Sequence, residues 1–166
     1  MKDGTEVEIR PIRPDDEQLM VRFHRDLSDR TVYLRYFCSL SLAARTAHER
    51  LVRICFANPE CETVLVVTHT DSKSHEEKIF AVGRLNKLLP KNEAELAVLV
   101  TDEYQGRGIG TQLLSRLIQV AREQRLDRIV AEMLRDNTAM QSVLKKRGFR
   151  LRLFDDPRSV RAFLEL

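Results

Sequence analysis

The fold is decided by residues 95–111, which read ELAVLVTDEYQGRGIGT. The first six residues are apolar except for Glu95, and an aliphatic, β-branched run of this kind predicts a β-strand. A turn follows at Gln105-Gly106-Arg107-Gly108-Ile109-Gly110, and apolar residues at helical spacing then predict an amphipathic helix from about Gly108 to Gln124. A strand, a glycine-rich turn and a helix in this order place unpaired N–H groups and the positive end of the helix dipole beside the glycines.

The glycine-rich turn has the properties of a pyrophosphate-binding cradle. Gly106, Gly108 and Gly110 carry no side chain that would hold a ligand away from the main chain, and Arg107 can add a charged hydrogen bond. Two other phosphate-binding loops are excluded, because neither G-x-G-x-x-G nor Gly-Lys-Ser/Thr is present. A turn without a ligand remains the alternative, although three glycines are conformationally costly without such a use.

The rest of the chain alternates between strand and helix patterns on both sides of this stretch. Predicted strands cover about residues 7–12, 63–67, 79–85, 95–100, 128–133, 149–154 and 160–166. Predicted helices cover about residues 14–28, 41–56, 108–124 and 137–147, with a short helical turn at 33–37. This order predicts an α/β fold with a mixed central β-sheet of about seven strands and helices on both faces. The length favours a single domain over residues 1–166.

Composition and charge exclude several classes of protein. The formal net charge is +3 and the basic residues are spread along the chain, so nucleic-acid binding is not expected, although a mildly basic chain suits an anionic ligand. No window is apolar enough for a membrane span. Cys38, Cys55 and Cys61 lack paired spacing and the four histidines are scattered. We therefore expect reduced thiols, no metal site and a cytoplasmic location.

Glu95 is the one charged residue on its predicted strand, and it is a candidate general base. Strand alternation places it on the same face as Ala97 and Leu99. A carboxylate among aliphatic neighbours would be desolvated, and desolvation makes a glutamate a stronger base near neutral pH. The alternative is a solvated residue at the strand end, paired with Lys87 or Arg84 across the hairpin.

The turn also matches, at Gln105, Gly108 and Gly110, the Q/R-x-x-G-x-G/A signature of the GNAT acetyltransferase superfamily. The predicted element order and the segment from Asn137 to Phe149 resemble the same superfamily, so the resemblance covers nearly the full chain. It implies a GNAT fold and acetyl-CoA as the cosubstrate. In that family the end of the fourth strand binds the pantetheine arm, the loop amides bind the pyrophosphate, and an asparagine opening the next helix contacts the cofactor. The cofactor-binding residues that the resemblance implies are Leu99, Val100, Thr101, Gln105, Gly106, Arg107, Gly108, Ile109, Gly110, Thr111 and Asn137.

A narrower resemblance is to the GNAT domain of bacterial Pat-type protein lysine acetyltransferases. It is carried by residues 9–17 (IRPIRPDDE), 33–37 (YLRYF) and 94–100 (AELAVLV). The resemblance implies that Glu95 is the base and that the acceptor amine is the side chain of a protein lysine. The neutral amine would attack the acetyl thioester directly, and the backbone N–H of Leu99 is the expected donor to the developing oxyanion.

One position departs from the family pattern. Many GNAT enzymes place a tyrosine seven residues after the asparagine, as general acid to the leaving thiolate, and Leu144 occupies that position here. Tyr104 and Tyr36 are the replacements to consider. Two other functions stay open: acetylation of a small-molecule amine, and a non-catalytic acyl-CoA sensor, which only Leu144 supports. The sequence also leaves a homodimer open.

Overall fold

Seven β-strands form one mixed sheet at the centre of the structure, a computed structural model that describes residues 5–72, 74–153 and 156–166. The strands are β1 (Glu8–Pro11), β2 (Glu62–Thr70), β3 (Glu77–Leu88), β4 (Glu93–Val100), β5 (Arg128–Leu134), β6 (Arg150–Leu153) and β7 (Ser159–Glu165). Their order across the sheet is β1-β2-β3-β4-β5-β7-β6, and neighbours are antiparallel except for the parallel pair β4 and β5. The predicted mixed sheet of about seven strands is confirmed, and the last residue of the predicted strand 149–154 lies outside the described residues.

Six α-helices pack on the two faces of this sheet in the described part of the chain. They are α1 (Glu17–Arg25), α2 (Asp29–Tyr36), α3 (Leu42–Arg45), α4 (His48–Cys55), α5 (Ile109–Glu123) and α6 (Thr138–Lys146). Single 3₁₀ turns occur at Pro14–Asp16 and Asp102–Tyr104. The short helical turn predicted at 33–37 is the end of α2. Ser28 is the N-cap of this helix, and its hydroxyl accepts a hydrogen bond from the N–H of Thr31.

The single helix predicted over residues 41–56 is wrong, because the structure has two short helices there. Ser41 caps α3 as expected, since its hydroxyl accepts from the N–H of Ala44. The helix then ends at Thr46, whose hydroxyl donates to the Leu42 carbonyl at 2.8 Å. The Thr46 N–H donates to the same carbonyl, and threonine bonds of this kind often bend helices. Ala47, which is not helical, is the N-cap of α4.

The sheet separates two hydrophobic clusters. On one face, α5 buries Leu113 and Leu117 completely against the central strands. On the other face, α1 and α4 bury Phe23 and Leu51. The close approach of α5 depends on Gly83 in β3, because a Cβ atom there would lie 2.6 Å from Cδ1 of Leu117. The strand and helix that carry the predicted site are therefore fixed to each other by a packed core.

A buried ion pair joins β1 to the start of the helical segment. The guanidinium of Arg10 donates two hydrogen bonds to the Asp16 carboxylate, at 2.7 and 2.8 Å, and a third to Glu77 at 2.9 Å. Burial opposes ionisation of Asp16, but the bonds from Arg10 and from the Arg13 N–H outweigh it and lower the pKa of Asp16. Bidentate arginine–carboxylate pairs of this geometry are among the stronger charged contacts in proteins.

The parallel pair β4 and β5 is only three residues long, and this positions the site. Glu93, Ala94 and Glu95 of β4 are paired with Arg128, Ile129 and Val130 of β5. Beyond these residues the two strands separate, while β4 stays paired with β3 through Val100. Along residues 96–100, among the residues described, β4 therefore lacks a strand partner on the β5 side. Apart from the Val100 carbonyl, which accepts from the Gln105 side chain, the backbone groups on that edge lack a strand partner among the residues described and can bind an extended ligand.

Candidate active site

A cleft of about 750 Å³ lies where β4 and β5 separate. Residues 95–100 of β4 and 131–133 of β5 contribute its two strands. The glycine-rich loop and the first turn of α5 contribute residues 104–108 and 110–112, and α2 and α6 contribute further side chains. The predicted site residues that line the cleft are Glu95, Leu99, Val100, Gln105, Gly106, Arg107, Gly108, Gly110, Thr111 and Asn137.

Two predicted cofactor-binding residues, Thr101 and Ile109, are not among those lining the cleft. Thr101 is buried and donates both its N–H and its hydroxyl to the Phe80 carbonyl, at 3.0 and 3.2 Å. The side chain of Ile109 is buried in the core beneath α5. Ile109 can therefore contact a cofactor only through its backbone N–H, which lies at the first position of α5.

The glycine-rich loop requires glycine for its conformation. Gly106 and Gly108 have φ values of +74° and +92°, in the left-handed region that other residues rarely adopt. Gly108 is the N-cap of α5 and provides no side chain to bond the first N–H groups of the helix. Gly110 allows close packing, because a Cβ atom there would lie 3.4 Å from Cγ2 of Val100. The loop therefore presents an uncapped helix N-terminus at the cleft, where an anion is favoured.

Gln105 and Asp102 fasten helix α2 to this loop. The amide of Gln105 donates to the Val100 carbonyl and to the Thr31 hydroxyl, both at 3.1 Å. The Asp102 carboxylate accepts from the N–H and hydroxyl of Ser28, at 2.9 and 2.6 Å, and from the hydroxyl of Thr31 at 2.8 Å. Burial raises the pKa of Asp102, but these hydrogen bonds outweigh burial and lower the pKa overall, so the carboxylate is charged. This network was missing from the sequence prediction, because α2 itself was not predicted.

Glu95 lies at the last paired position before β4 and β5 separate, and its side chain is exposed at the cleft. The expected alternation is confirmed, since Leu96 packs with the α5 cluster and Leu99 with the α1 cluster. The expectation of a desolvated carboxylate is wrong, because the strands open at this point and admit solvent. Neither of the alternative partners is paired with it, since Arg84 is ion-paired to Glu62 and Lys87 is opposite Ala94 in the sheet.

Arg35 of α2 lines the same cleft and is the nearest basic group that the structure relates to Glu95. Burial lowers the pKa of Arg35, the charges of Arg84 and Arg50 lower it further, and the Glu95 carboxylate opposes that shift. Its guanidinium lies 5.2 Å from the centre of the Tyr36 ring. Glu95 and Arg35 thus place opposite charges on the same cleft.

Helix α6 contributes an asparagine and no acid. Asn137 is the N-cap of α6 and accepts from the Met140 N–H at 3.1 Å, so its amide NH₂ is the group left to donate. Leu144 is fully buried in the core, and Met140 and Val143 line the cleft instead. Of the two replacement tyrosines, Tyr104 lines the cleft, whereas Tyr36 does not.

Tyr104 is held firmly at the cleft. Its ring stacks on Phe80 with a centroid distance of 3.7 Å, and the guanidinium of Arg107 lies 5.0 Å from the ring centre. Aromatic stacking and a cation over the ring face both favour a fixed ring position. Tyr104 therefore presents a fixed phenol at the cleft, which makes it the better candidate for a proton donor.

Neither a metal site nor a membrane-spanning helix is found in the described part of the chain. Across residues 5–72, 74–153 and 156–166, no group of three or more His, Cys, Asp or Glu side chains is arranged to hold a metal ion. In the same described part of the chain, none of the helices combines the length and the apolar character that crossing a membrane requires.

Comparison with known sequences identifies related proteins. A family profile described as an acetyltransferase (GNAT) domain matches residues 6–150. An acetyltransferase of Pseudomonas aeruginosa is 28% identical over 149 residues, which cover 90% of this chain and 77% of that protein. Acetyltransferase Pat of Mycolicibacterium smegmatis is 30% identical over 141 residues, which cover 84% of this chain and 40% of that protein. The chain thus spans well under half the length of the second relative.

Solved structures share the fold. The crystal structure of the GNAT domain of S. lividans PAT has a TM-score of 0.87 and 28% identity, with 99% of this chain and 93% of that chain covered. The PaiA N-acetyltransferase of Thermoplasma acidophilum, solved in complex with coenzyme A, has a TM-score of 0.76 and 17% identity, with 98% and 100% covered. At that identity the second likeness concerns the fold alone.

Proposed function

Since this chain belongs to the GNAT acetyltransferase family, we propose that it transfers the acetyl group of acetyl-CoA to the side-chain amine of a protein lysine. The observation that carries the proposal is the cleft between the separated ends of β4 and β5. It brings together an uncapped helix N-terminus, a free strand edge and an exposed carboxylate. These three features match the needs of an anionic, extended cosubstrate and of a proton transfer beside it.

The cofactor-binding residues in this proposal are those of the loop, the strand edge and α6. The N–H groups of residues 106–111 would hold the pyrophosphate, with Arg107 adding charge. The backbone of residues 99–101 would bind the pantetheine arm, and Asn137 would donate from its amide. Acetyl-CoA would supply the acetyl thioester that the acceptor amine attacks. The positive φ values at Gly106 and Gly108 support this assignment, because they turn the main chain toward the cleft without side chains.

Glu95 is the proposed general base. A lysine side chain has an ordinary pKa of about 10.4, so near neutral pH its amine must lose a proton before it can act as a nucleophile. The exposed carboxylate of Glu95 can accept that proton directly or through a water molecule. The Leu99 N–H expected from the sequence faces β3, because Leu99 is opposite Val82 two residues before Thr101, whose N–H donates to the Phe80 carbonyl. The N–H groups of Val98 and Val100 face the free edge of β4 and are the proposed donors to the developing oxyanion.

The leaving thiolate needs little assistance in this mechanism. An ordinary thiol has a pKa of about 8.5, so a thiolate is a good leaving group near neutral pH. Tyr104 is the proposed proton donor where one is used, because it lines the cleft with a fixed ring. The fully buried Leu144 takes no part in the transfer.

The protein acceptor is favoured by the two Pat relatives, one in sequence and one in structure. Release of free thiol from acetyl-CoA, measured with lysine-containing proteins, polyamines and amino acids in parallel, tests the proposal. We expect turnover with proteins, and mass spectrometry should locate the acetyl groups on lysine side chains. Turnover with small amines alone would replace the proposal by small-molecule acetylation. Calorimetric binding of acetyl-CoA without turnover on any acceptor would indicate a sensor.

For the chain as a whole we propose a single domain over residues 1–166 and a cytoplasmic location. All seven described strands belong to one sheet, which supports a single folding unit. Cys38, Cys55 and Cys61 are free thiols, as expected in a reducing compartment. A homodimer stays a prediction, to be tested by sedimentation of the purified protein.

A further inference from the structure

A second cavity, of about 590 Å³, lies on the opposite side of Glu95 from the glycine-rich loop, over β5, β7 and β6. Five cationic side chains line it: Lys91, Arg128, Arg150, Arg152 and Arg161. We call this cavity the arginine groove. We propose that the arginine groove binds an acidic segment of the protein acceptor and so selects lysines that have acidic residues nearby in sequence. This inference rests on the proposed function.

The sheet register connects the arginine groove to Glu95. Glu95 is opposite Val130, Val130 is opposite Phe163, and Phe163 is opposite Arg150, on four successive strands. Opposed residues share one face of a sheet, and strands are about 4.8 Å apart, so Arg150 lies roughly 14 Å from Glu95 on the same face. An extended peptide advances about 3.3 Å per residue. An acidic residue about four positions from the acceptor lysine would therefore reach Arg150.

The charges of the arginine groove are unbalanced. Its two carboxylates, Glu93 and Glu165, both form ion pairs with Arg128, at 3.1 and 2.8 Å. Counted together, the five cations exceed the two carboxylates by three. The fold thus brings five of the 28 basic residues together at one surface. A surface of this charge attracts an acidic partner.

Two arginines of the groove lie in opposed positions on neighbouring strands. Arg152 of β6 is directly opposite Arg161 of β7, and like charges in opposed positions destabilise a strand pair. On the other side of β7, Arg161 is opposite Glu132 of β5, so a carboxylate lies beside the two arginines. Arg150 and Arg152 are exposed, and Arg152 lies 5.0 Å from the centre of the Phe163 ring. An incoming carboxylate between Arg150 and Arg152 would meet two exposed guanidinium groups on the same face of β6.

A peptide suits the arginine groove better than a nucleic acid does. Apolar side chains, Leu153, Phe163 and Val130, lie among the cations and offer contacts to aliphatic side chains. Glu93 and Glu165 would repel a continuous phosphate backbone, whereas a peptide can place its acidic residues selectively. The position of Arg150 on the same sheet face as Glu95 also suits a partner that brings an amine to the cleft.

The test compares two families of lysine peptides, one with aspartates three to five residues from the lysine and one with serines there. The enzyme variant is Arg150→Glu/Arg152→Glu, and the matched control is Arg53→Glu/Arg122→Glu, which changes the same charge at exposed sites outside both cavities. Far-UV circular dichroism checks folding, and Arg150→Gln/Arg152→Gln provides a milder second variant. We expect the groove variant to raise KM for the aspartate peptides about tenfold. Its kcat, its acetyl-CoA affinity and its KM for the serine peptides should stay unchanged, as should every value for the control.

The outcomes separate this inference from the proposed function. Equal KM values for both peptide families with the wild-type enzyme would overturn the groove while leaving lysine acetylation in place. If no peptide is acetylated, the proposed function fails, and fluorescence anisotropy with a labelled aspartate peptide still decides whether the groove binds it. Loss of oligonucleotide binding in the groove variant, with peptide binding unchanged, would assign the groove to nucleic acid and overturn the inference.

Discussion

At the scale of single residues, Glu95 carries the chemistry of the proposed reaction. Replacing Glu95 with glutamine removes the proton acceptor but keeps the shape of the side chain. We expect kcat to fall by about 10²–10⁴-fold, with the acetyl-CoA dissociation constant nearly unchanged. Glu132→Gln is the matched control, because Glu132 is also exposed and lines the same cleft from β5. Full activity of Glu95→Gln across pH 6–9 would show that another group is the base.

Gly108 tests the loop at the same scale. Gly108 and Gly148 have φ values of +92° and +87°, so alanine at either position costs about 1–2 kcal/mol of conformational energy. Only Gly108 lines the cleft. We expect both variants to lose similar stability in urea, and only Gly108→Ala to weaken acetyl-CoA binding, by at least about tenfold in calorimetry. Equal acetyl-CoA affinity in the two variants would contradict the loop assignment.

At the scale of elements, the position of α2 depends on one carboxylate. Asp102 accepts three hydrogen bonds from Ser28 and Thr31 at the beginning of α2. Asp102→Ala removes the acceptor of those bonds, two of which are exposed to solvent, so we expect a loss of about 1 kcal/mol in the free energy of unfolding. The acceptor KM should rise as well, because α2 carries Arg35 into the cleft. Glu103→Ala, at the exposed neighbouring position, is the control, and an equal loss there would remove the special role of Asp102.

The elements also show what a sequence can and cannot predict. The strand and glycine-rich loop around Gly108 were predictable, because glycine spacing and helical periodicity act locally. The break at Thr46 was not, since no glycine or proline marks it in residues 41–56 and the bend occurs where the Leu42 carbonyl accepts from both the N–H and the hydroxyl of Thr46. The exposure of Glu95 was not either, because it follows from where two distant strands stop pairing. Local chemistry was thus readable in the sequence, and tertiary pairing was not.

The same limit applies to the whole molecule. The order of helices and strands predicted the mixed sheet, since connection rules leave few arrangements open. The sequence alone does not show that α5 approaches β3 at Gly83. It also does not show that Arg128, Arg150, Arg152 and Arg161 are neighbours. Both follow from the sheet order, in which β7 lies between β5 and β6. The candidate cofactor site could therefore be predicted from the sequence, whereas the arginine groove beside it follows only from the sheet order.

The stability of the whole molecule should decline in mild acid, and His24 is the main reason. Its ring is buried, both ring nitrogens lack a hydrogen-bond partner among the described residues, and Arg45 and Arg50 lie nearby. Burial, followed by the charges of Arg50 and Arg45, lowers the pKa of His24 from 6.5 to about 4. Between these values the unfolded chain binds a proton that the folded protein rejects, so stability falls as pH falls through that window. The full loss is on the order of 3 kcal/mol, and below pH 4 the lowered pKa of Asp16 adds to it.

Urea unfolding of the wild-type protein and of His24→Leu between pH 7 and pH 4 measures this effect. We expect the wild-type free energy of unfolding to fall across the window and the His24→Leu value to stay nearly constant, because leucine does not titrate. His48→Gln is the control: His48 is exposed, and its bond to Glu17 raises its pKa. A raised pKa adds stability at low pH, so this control should show a slightly steeper fall than the wild type. Equal slopes for the wild type and His24→Leu would show that His24 does not couple folding to pH.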